Sequence, residues 1–323
     1  MTNALPAAIT AEDLALRAGA ALVARPASDL LELAGPDRLR FLNGLVTCEV
    51  KGLAAGAGRY GFFTDLKGRV LADVAVLALD DRLVLELAAG SGPAMAAHLR
   101  KYVIADRVEV AEQPDRVPIT LAGPLAGTVL AGELPAERWS HAAREIAGAG
   151  VLLVREGRLG VEAFTCWTSS SAAPAVRGAL EALTGVGRAS AAALDTERIR
   201  GGIGRFGQDF GPEHFPQETG AEAMGVSYTK GCYLGQEIVA RIHYRGGVQR
   251  GLRGLRFAGD PPPLGTAVLA EGRESGTVTS LAVTRDLGTI GLAVLHQRVG
   301  SAGSAVELAT GGAALVVDLP FSS

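Results

Sequence analysis

Beyond Leu252 the chain breaks into at least five short apolar runs: Leu252–Phe257, Ala267–Leu269, Gly276–Val283, Thr289–Val294 and Ala314–Leu319. Glycine-bearing turns separate them. Runs this short cannot build a helical core, but they pair readily across tight turns, so the spacing predicts a small antiparallel barrel or sandwich. Upstream the pattern is mixed. Leu30–Leu33 reads as a strand and Asp37–Leu45 as a helix, because Pro36 suits a first turn and Leu39, Leu42 and Leu45 share one spacing. Val70–Leu79 and Leu83–Ala88 read as strands joined through Asp80-Asp81 as a hairpin. A helix over Pro93–Tyr102 and a strand over Val108–Ala111 complete one α+β block. A second block has strands Val117–Leu121 and Val151–Phe164 and a helix over Pro174–Leu183. An amphipathic stripe of Leu14, Ala18, Ala21 and Leu22 precedes both blocks. Residues 195–245 differ, with dense glycine, mixed charge and little periodicity.

Composition narrows the class further. At 48% hydrophobic and 20% charged over 323 residues, the chain has enough apolar material for two or three domains. No run approaches the ~18–20 apolar residues of a membrane span. Met1–Thr10 lacks the charged and apolar regions of a signal peptide. Three cysteines, Cys48, Cys166 and Cys232, are too scattered for a disulfide framework, which predicts a reducing, cytoplasmic location. A net charge of −3 gives no global pull toward nucleic acid or lipid.

The familiar chemical signatures are missing. Gly56–Gly61 and Gly202–Gly207 carry the spaced glycines of a dinucleotide fingerprint, but neither stands between a strand and a helix N-terminus, so both read as turns. The five histidines lack metal-ligand spacing, and no metal site is expected. There is no nucleophile elbow.

The informative segment is Lys230-Gly231-Cys232-Tyr233-Leu234-Gly235-Gln236-Glu237, continuing to Arg241. It sets one thiol two residues from an ammonium, between glycines that permit close approach. A nearby cation favours thiolate, the reactive and metal-binding form, and a helix beginning near Tyr233 or Leu234 would act in the same direction. Lys230 is one of only four lysines. The plain alternative is that Cys232 is a small buried hydrophobe.

This octapeptide resembles the signature of the YgfZ family of folate-binding proteins, relatives of the glycine-cleavage T-protein (an aminomethyltransferase). Arg38–Thr47, Lys67–Asp73, Arg198–Ile203 and Pro216–Gly220 resemble further family segments in the expected order, so that the likeness covers roughly residues 28–300. It implies an α+β fold: a three-part ring of two α+β units and a C-terminal antiparallel β-barrel around an opening that receives tetrahydrofolate. The implied division is a folate-binding region over 1–245 with two intertwined subdomains, and a barrel over 246–323. The implied function is a tetrahydrofolate-binding accessory protein for assembly or repair of iron–sulfur proteins, including enzymes that modify tRNA. Its partners would be folate and iron–sulfur proteins or their assembly factors, with no membrane. Family members are not established as enzymes. Aminomethyltransferases show an Asp-Asp pair where this chain has Ala72-Asp73, and they lack the cysteine found here at 232. A folate-dependent aminomethyltransferase is the alternative reading, and a tRNA-binding module is a third.

On this basis Cys232 is the expected functional thiol and Lys230 its charge partner. Asp73 is the preferred folate contact, against a plain strand-end charge. Glu218 and Glu237 have two readings, as ligands of polar pterin or glutamate groups or as acceptors for buried backbone N–H groups. Gln236 reads as a pterin-edge contact or a structural amide, and Tyr233 as core packing or a stacking ring. Arg241 begins a stretch with Arg245, Arg250, Arg253 and Arg256 in which no acid occurs before Asp260. A polyglutamate tail or an RNA backbone would suit it, the plain reading is a solvated hairpin, and without an aromatic interleave direct contact with tRNA is not the expectation.

Overall fold

The computed structural model describes residues 9–25 and 27–322. Most of the Met1–Thr10 segment lies outside them. Five strands, in the order Gly58–Thr64, Val70–Ala78, Arg82–Ala88, Ser28–Ala34 and Glu109–Glu112, pair into an antiparallel sheet. A second sheet takes Val186–Ala189, Ala20–Val23, Arg116–Ala122, Ala163–Ser169, Ala149–Arg155 and His141–Ile146, in that order. Its first pair is parallel, and the rest are antiparallel. Six strands between Arg250 and Val317 close the antiparallel barrel. The architecture is the expected one: two α+β units and a C-terminal barrel.

Strand periodicity places the cores. In Val70–Ala78, Ala72, Val74 and Val76 face an outer core beneath the helices Arg38–Asn43 and Gly92–Tyr102. Ala75 and Leu77 face the second sheet. Side chains on a strand alternate between faces, so Asp73 shares the inward side with Ala75. The same alternation splits Phe62 and Phe63, both fully buried, between the inner and outer cores. Burial of each phenylalanine is worth about 1.5–3 kcal/mol. The inner core also takes Trp139, Val154 and Trp167 from the second sheet's unit, so apolar burial holds the two sheets face to face.

The barrel is attached by polar groups as well. Arg198, on the helix Ala191–Arg200, donates to Asp209 and Ser280 at 2.8 Å each, and Ser280 lies on the barrel strand Arg273–Thr284. Asp209 also accepts from Thr279 and Ser280 at 2.6 Å. Breaking one partner of such a buried set costs about 3–5 kcal/mol.

The structure corrects several sequence expectations. The run Val151–Phe164 is two strands separated by residues 156–162, where Glu156, Arg158 and Glu162 interrupt the apolar pattern. The first helix ends at Ala18, Leu14 is exposed, and Ala21 and Leu22 belong to the following strand. Residues 195–245 hold most of the Ala191–Arg200 helix and a second helix, Gln236–Arg245. That second helix begins later than Tyr233 or Leu234. Gly235 takes a left-handed φ of 84°, and a Cβ there would stand 2.3 Å from the Asp65 carbonyl oxygen. A non-glycine residue would have to shift that turn. The barrel also has a strand not foreseen, Ala305–Leu308.

Candidate functional site

Between the inward faces of the two sheets lies a cavity of about 330 Å³, lined by Tyr60, Asp73, Glu86, Trp139, Glu156 and Arg158 among others. The sheets explain how these groups meet. Asp73 pairs in register with Phe62, and Glu86 lies opposite Ala75 with the same inward parity. Glu156 and Arg158 come from the loop that interrupts the second sheet. Trp139 stacks on Tyr60 with ring centroids 5.5 Å apart and planes at 18°. The Arg158 guanidinium also lies over the Tyr60 ring, 4.3 Å from its centroid.

Two charge relationships define the cavity. Arg25 joins the two units: it donates to Glu86 on the five-stranded sheet and, at 2.7 Å, to Glu156 on the loop of the other. Ser28 donates to Glu86 at 3.0 Å and Thr165 donates to Glu156. Burial works against the Arg25 charge, but the two carboxylates outweigh it and raise its pKa. Burial likewise pushes Glu156 up, with Arg25 opposing.

Asp73 stands apart from that tie. Its Oδ2 accepts from the Tyr60 hydroxyl at 2.9 Å and lies 3.6 Å from Arg158 Nη1. Burial pushes the Asp73 carboxyl up to about 7, with Glu86 adding to the effect. Burial also pulls the Arg158 guanidinium down to about 9, helped by Arg198. Arg158 Nη2 donates to the Gly204 carbonyl, while buried Nη1 has no hydrogen-bond partner. The cavity thus offers a carboxylate near its titration point, a guanidinium N–H to spare and aromatic walls. A flat heterocycle with an N–H donor beside a carbonyl acceptor on one edge matches that set.

The cysteine-bearing segment lies elsewhere. None of residues 230–241 lines the cavity. Leu234 packs against the outer core of the five-stranded sheet, and its N–H donates to Gly44 at 3.0 Å. Cys232 is exposed, whereas Cys48 and Cys166 are buried. The Lys230 ammonium does not serve as the thiol's direct partner. It is buried and donates to the carbonyls of Asn43 and Val46 at 2.8 Å and of Cys48 at 2.6 Å. An ammonium has three N–H donors, and all three are used on backbone. Burial pulls its pKa down to about 8.

The remaining expected residues divide similarly. Buried Glu218 accepts from the Phe215 N–H at 2.8 Å and from Arg250 at 2.9 Å, which selects the backbone-satisfying reading over the ligand one. Gln236 Oε1 accepts from the Tyr233 N–H at 3.2 Å, as a structural amide does. Tyr233 is buried under the Lys230 ammonium, 5.3 Å from its ring centroid, and its hydroxyl has no hydrogen-bond partner. Glu237 and Arg241 are exposed on the Gln236–Arg245 helix. Of the expected ligand contacts, only Asp73 lies in the cavity. Ala72 is 1% exposed in the outer core, so an acid at that position would not reach the cavity, and its absence says nothing about the chemistry there.

Arg25, Tyr60, Glu86, Trp139, Glu156 and Arg158 were not anticipated from sequence. The available signal was Arg155-Glu156-Gly157-Arg158, three charges and a glycine inside an apparent strand, which marks a break with a reason.

The chain matches the family described as GCVT N-terminal domain over residues 2–229. It is 31% identical over 231 residues to tRNA-modifying protein YgfZ of Yersinia pseudotuberculosis serotype O:1b (strain IP 31758), across 69% of this chain and 67% of the relative. It is 29% identical over 298 residues to the protein of the same name from Sodalis glossinidius (strain morsitans), across 85% and 88% of the two chains. The crystal structure of glycine cleavage system aminomethyltransferase T from Bartonella henselae shares the fold, with a TM-score of 0.88 at 23% identity over 97% of this chain and 89% of that one.

Proposed function

The chain belongs to the GCVT N-terminal domain family, and from that membership we propose a tetrahydrofolate-binding protein that acts in tRNA modification by supporting iron–sulfur enzymes. The observation that carries the folate reading is half-buried Asp73, held by Tyr60 on the wall of an aromatic cavity. The donor set fits a reduced pterin. The Asp73 carboxylate would accept from ligand N–H groups, Arg158 Nη1 would donate to a ligand carbonyl, and Tyr60 and Trp139 would supply apolar wall. Bound folate supplies a carrier for one-carbon units. The protein's residues bind it, orient it and keep water from its edge. Calorimetry with tetrahydrofolate tests this directly: saturable binding that Asp73→Ala weakens is expected, and absence of heat at millimolar ligand would refute it.

The thiol belongs to a different part of the same proposal. A cluster usually needs four thiolates, and with Cys48 and Cys166 buried, Cys232 alone is available to an outside partner. It therefore acts on an iron–sulfur protein or its assembly factor rather than by holding a cluster within this chain. Rescue of an iron–sulfur tRNA-modifying enzyme in a strain lacking the protein is expected from the wild type and not from Cys232→Ser. The fold shared with an aminomethyltransferase motivates a second reading, one-carbon transfer onto folate; turnover of an aminomethyl-lipoyl carrier would favour it.

A further inference from the structure

The Gln236–Arg245 helix carries an exposed face that neither the cavity nor the thiol explains. Arg241, Tyr244 and Arg245 are exposed on it, at the three- and four-residue spacings that share one helix side. Tyr244 is 69% exposed. Beneath it the rings of Tyr228 and His243 stack at 3.7 Å with planes at 19°, and Tyr244 meets them edge-on at 6.0 and 5.0 Å. This platform is fixed from below. Glu222 Oε1 accepts from the Tyr228 hydroxyl at 2.6 Å and lies 2.9 Å from His243 Nδ1, while Gln217 donates to the Tyr228 hydroxyl at 3.0 Å.

The charge around the platform is largely uncompensated. Among the described residues neither Arg241 nor Arg245 forms an ion pair or a side-chain hydrogen bond, in contrast to Arg250, which is held by Glu218. Exposed Lys67 lies on the turn whose Gly68 packs against Ile238 and Val239 of the same helix. The acids nearby are Glu222, engaged by Tyr228 and His243, Asp65, which accepts from the Lys67 and Arg69 N–H groups, and exposed Glu237, one turn before Arg241.

We propose that this face binds single-stranded RNA, with an unstacked base on Tyr244 and adjacent phosphates on Arg241 and Arg245. An exposed ring on a rigid aromatic base accepts any base by its π-face, and unpaired guanidiniums track the backbone. A duplex keeps its bases stacked and does not offer one to Tyr244. An acidic protein would use the arginines but not the ring. The site is separate from the folate cavity, so either function can fail without the other.

The test is fluorescence anisotropy with a short labelled single-stranded RNA, a matched duplex and a polyglutamate peptide, on the full chain. The wild type is expected to prefer the single strand. Tyr244→Ala should weaken binding about tenfold, within the range of one stacked base, and Tyr244→Phe should retain it. Replacing Arg241 and Arg245 together by Gln should reduce the slope of log affinity against log salt by about 1.4, the value for two single-strand phosphates. Unchanged thermal melting and folate binding in Tyr244→Ala would show that the loss is local. No saturable binding below about 100 μM protein at about 50 mM salt would overturn the proposal. So would equal affinity of Tyr244→Ala, or a preference for duplex or polyglutamate.

Discussion

Arg158 Nη1 stands 3.6 Å from Asp73 Oδ2, and it is the guanidinium nitrogen left without a hydrogen bond in the cavity. A buried donor without a partner costs free energy, so a ligand acceptor delivered there recovers what the unliganded protein lacks. Arg158→Met should therefore weaken folate binding by about 1–3 kcal/mol while costing the unliganded protein less than removal of a satisfied buried arginine would. Paired calorimetry and urea melts measure both. Equal binding by the variant would remove Arg158 from the site.

Folate affinity should depend on pH through Asp73. Burial raises this carboxyl from the ordinary carboxylate range to about 7. If the ionised form accepts the ligand's N–H groups, affinity rises as pH climbs through about 7 and then levels. The unliganded protein behaves oppositely. A raised carboxyl pKa contributes stability below the unfolded value that is lost as pH rises through the folded one. Asp73→Asn should flatten the affinity profile and gain relative stability at high pH; an unaltered profile would show that another group titrates.

Removing Arg25 should destabilise the protein by about 3–5 kcal/mol near neutral pH, because Glu86 and Glu156 would be left buried without their common partner. The loss should shrink at mildly acid pH, because burial favours the protonated form of Glu156. Urea denaturation of Arg25→Met at the two pH values checks the sign; a pH-independent loss would point to packing alone.

Lys230 should prove a structural anchor that arginine cannot replace. Its ammonium converges on three carbonyls, whereas a guanidinium presents a planar fork. Lys230→Met and Lys230→Arg should both lower stability, the former by about 1–3 kcal/mol or more from unsatisfied carbonyls. A fully stable arginine variant would contradict this.

Alkylation should distinguish the thiols. Cys232 should react in the folded protein, and Cys48 and Cys166 only on unfolding, because they are 4% and 1% exposed. Cys232→Ser should leave the melting temperature nearly unchanged. Mass mapping of labelled peptides decides it.

The fold was largely legible because local pattern determines it. The hairpin through Asp80-Asp81, the helix Gly92–Tyr102 and most barrel strands follow from periodicity and turn residues. The site was less so. Asp73 was identified through its segment, but its cavity partners Arg25 and Glu156 lie 131 residues apart and meet only because two sheets pack face to face. The direction of Lys230 was equally hidden: sequence spacing puts it beside Cys232, while the fold presents carbonyls on its other side.

The strand Val70–Ala78 has a genetic consequence. Ala72 and Asp73 occupy opposite faces by parity alone, one in a dry core and one at the cavity. Leu71 is the extra residue of a bulge between the Thr64–Val70 and Phe63–Ala72 pairs, so loss of one codon there is absorbed by closing the bulge, whereas loss of one between Val74 and Ala78 would exchange the faces of the residues after it. Changes of length near Asp80-Asp81, at the hairpin turn, leave that count intact. Descendants of this chain should therefore vary in length at the turn and hold the length between Val74 and Ala78 fixed.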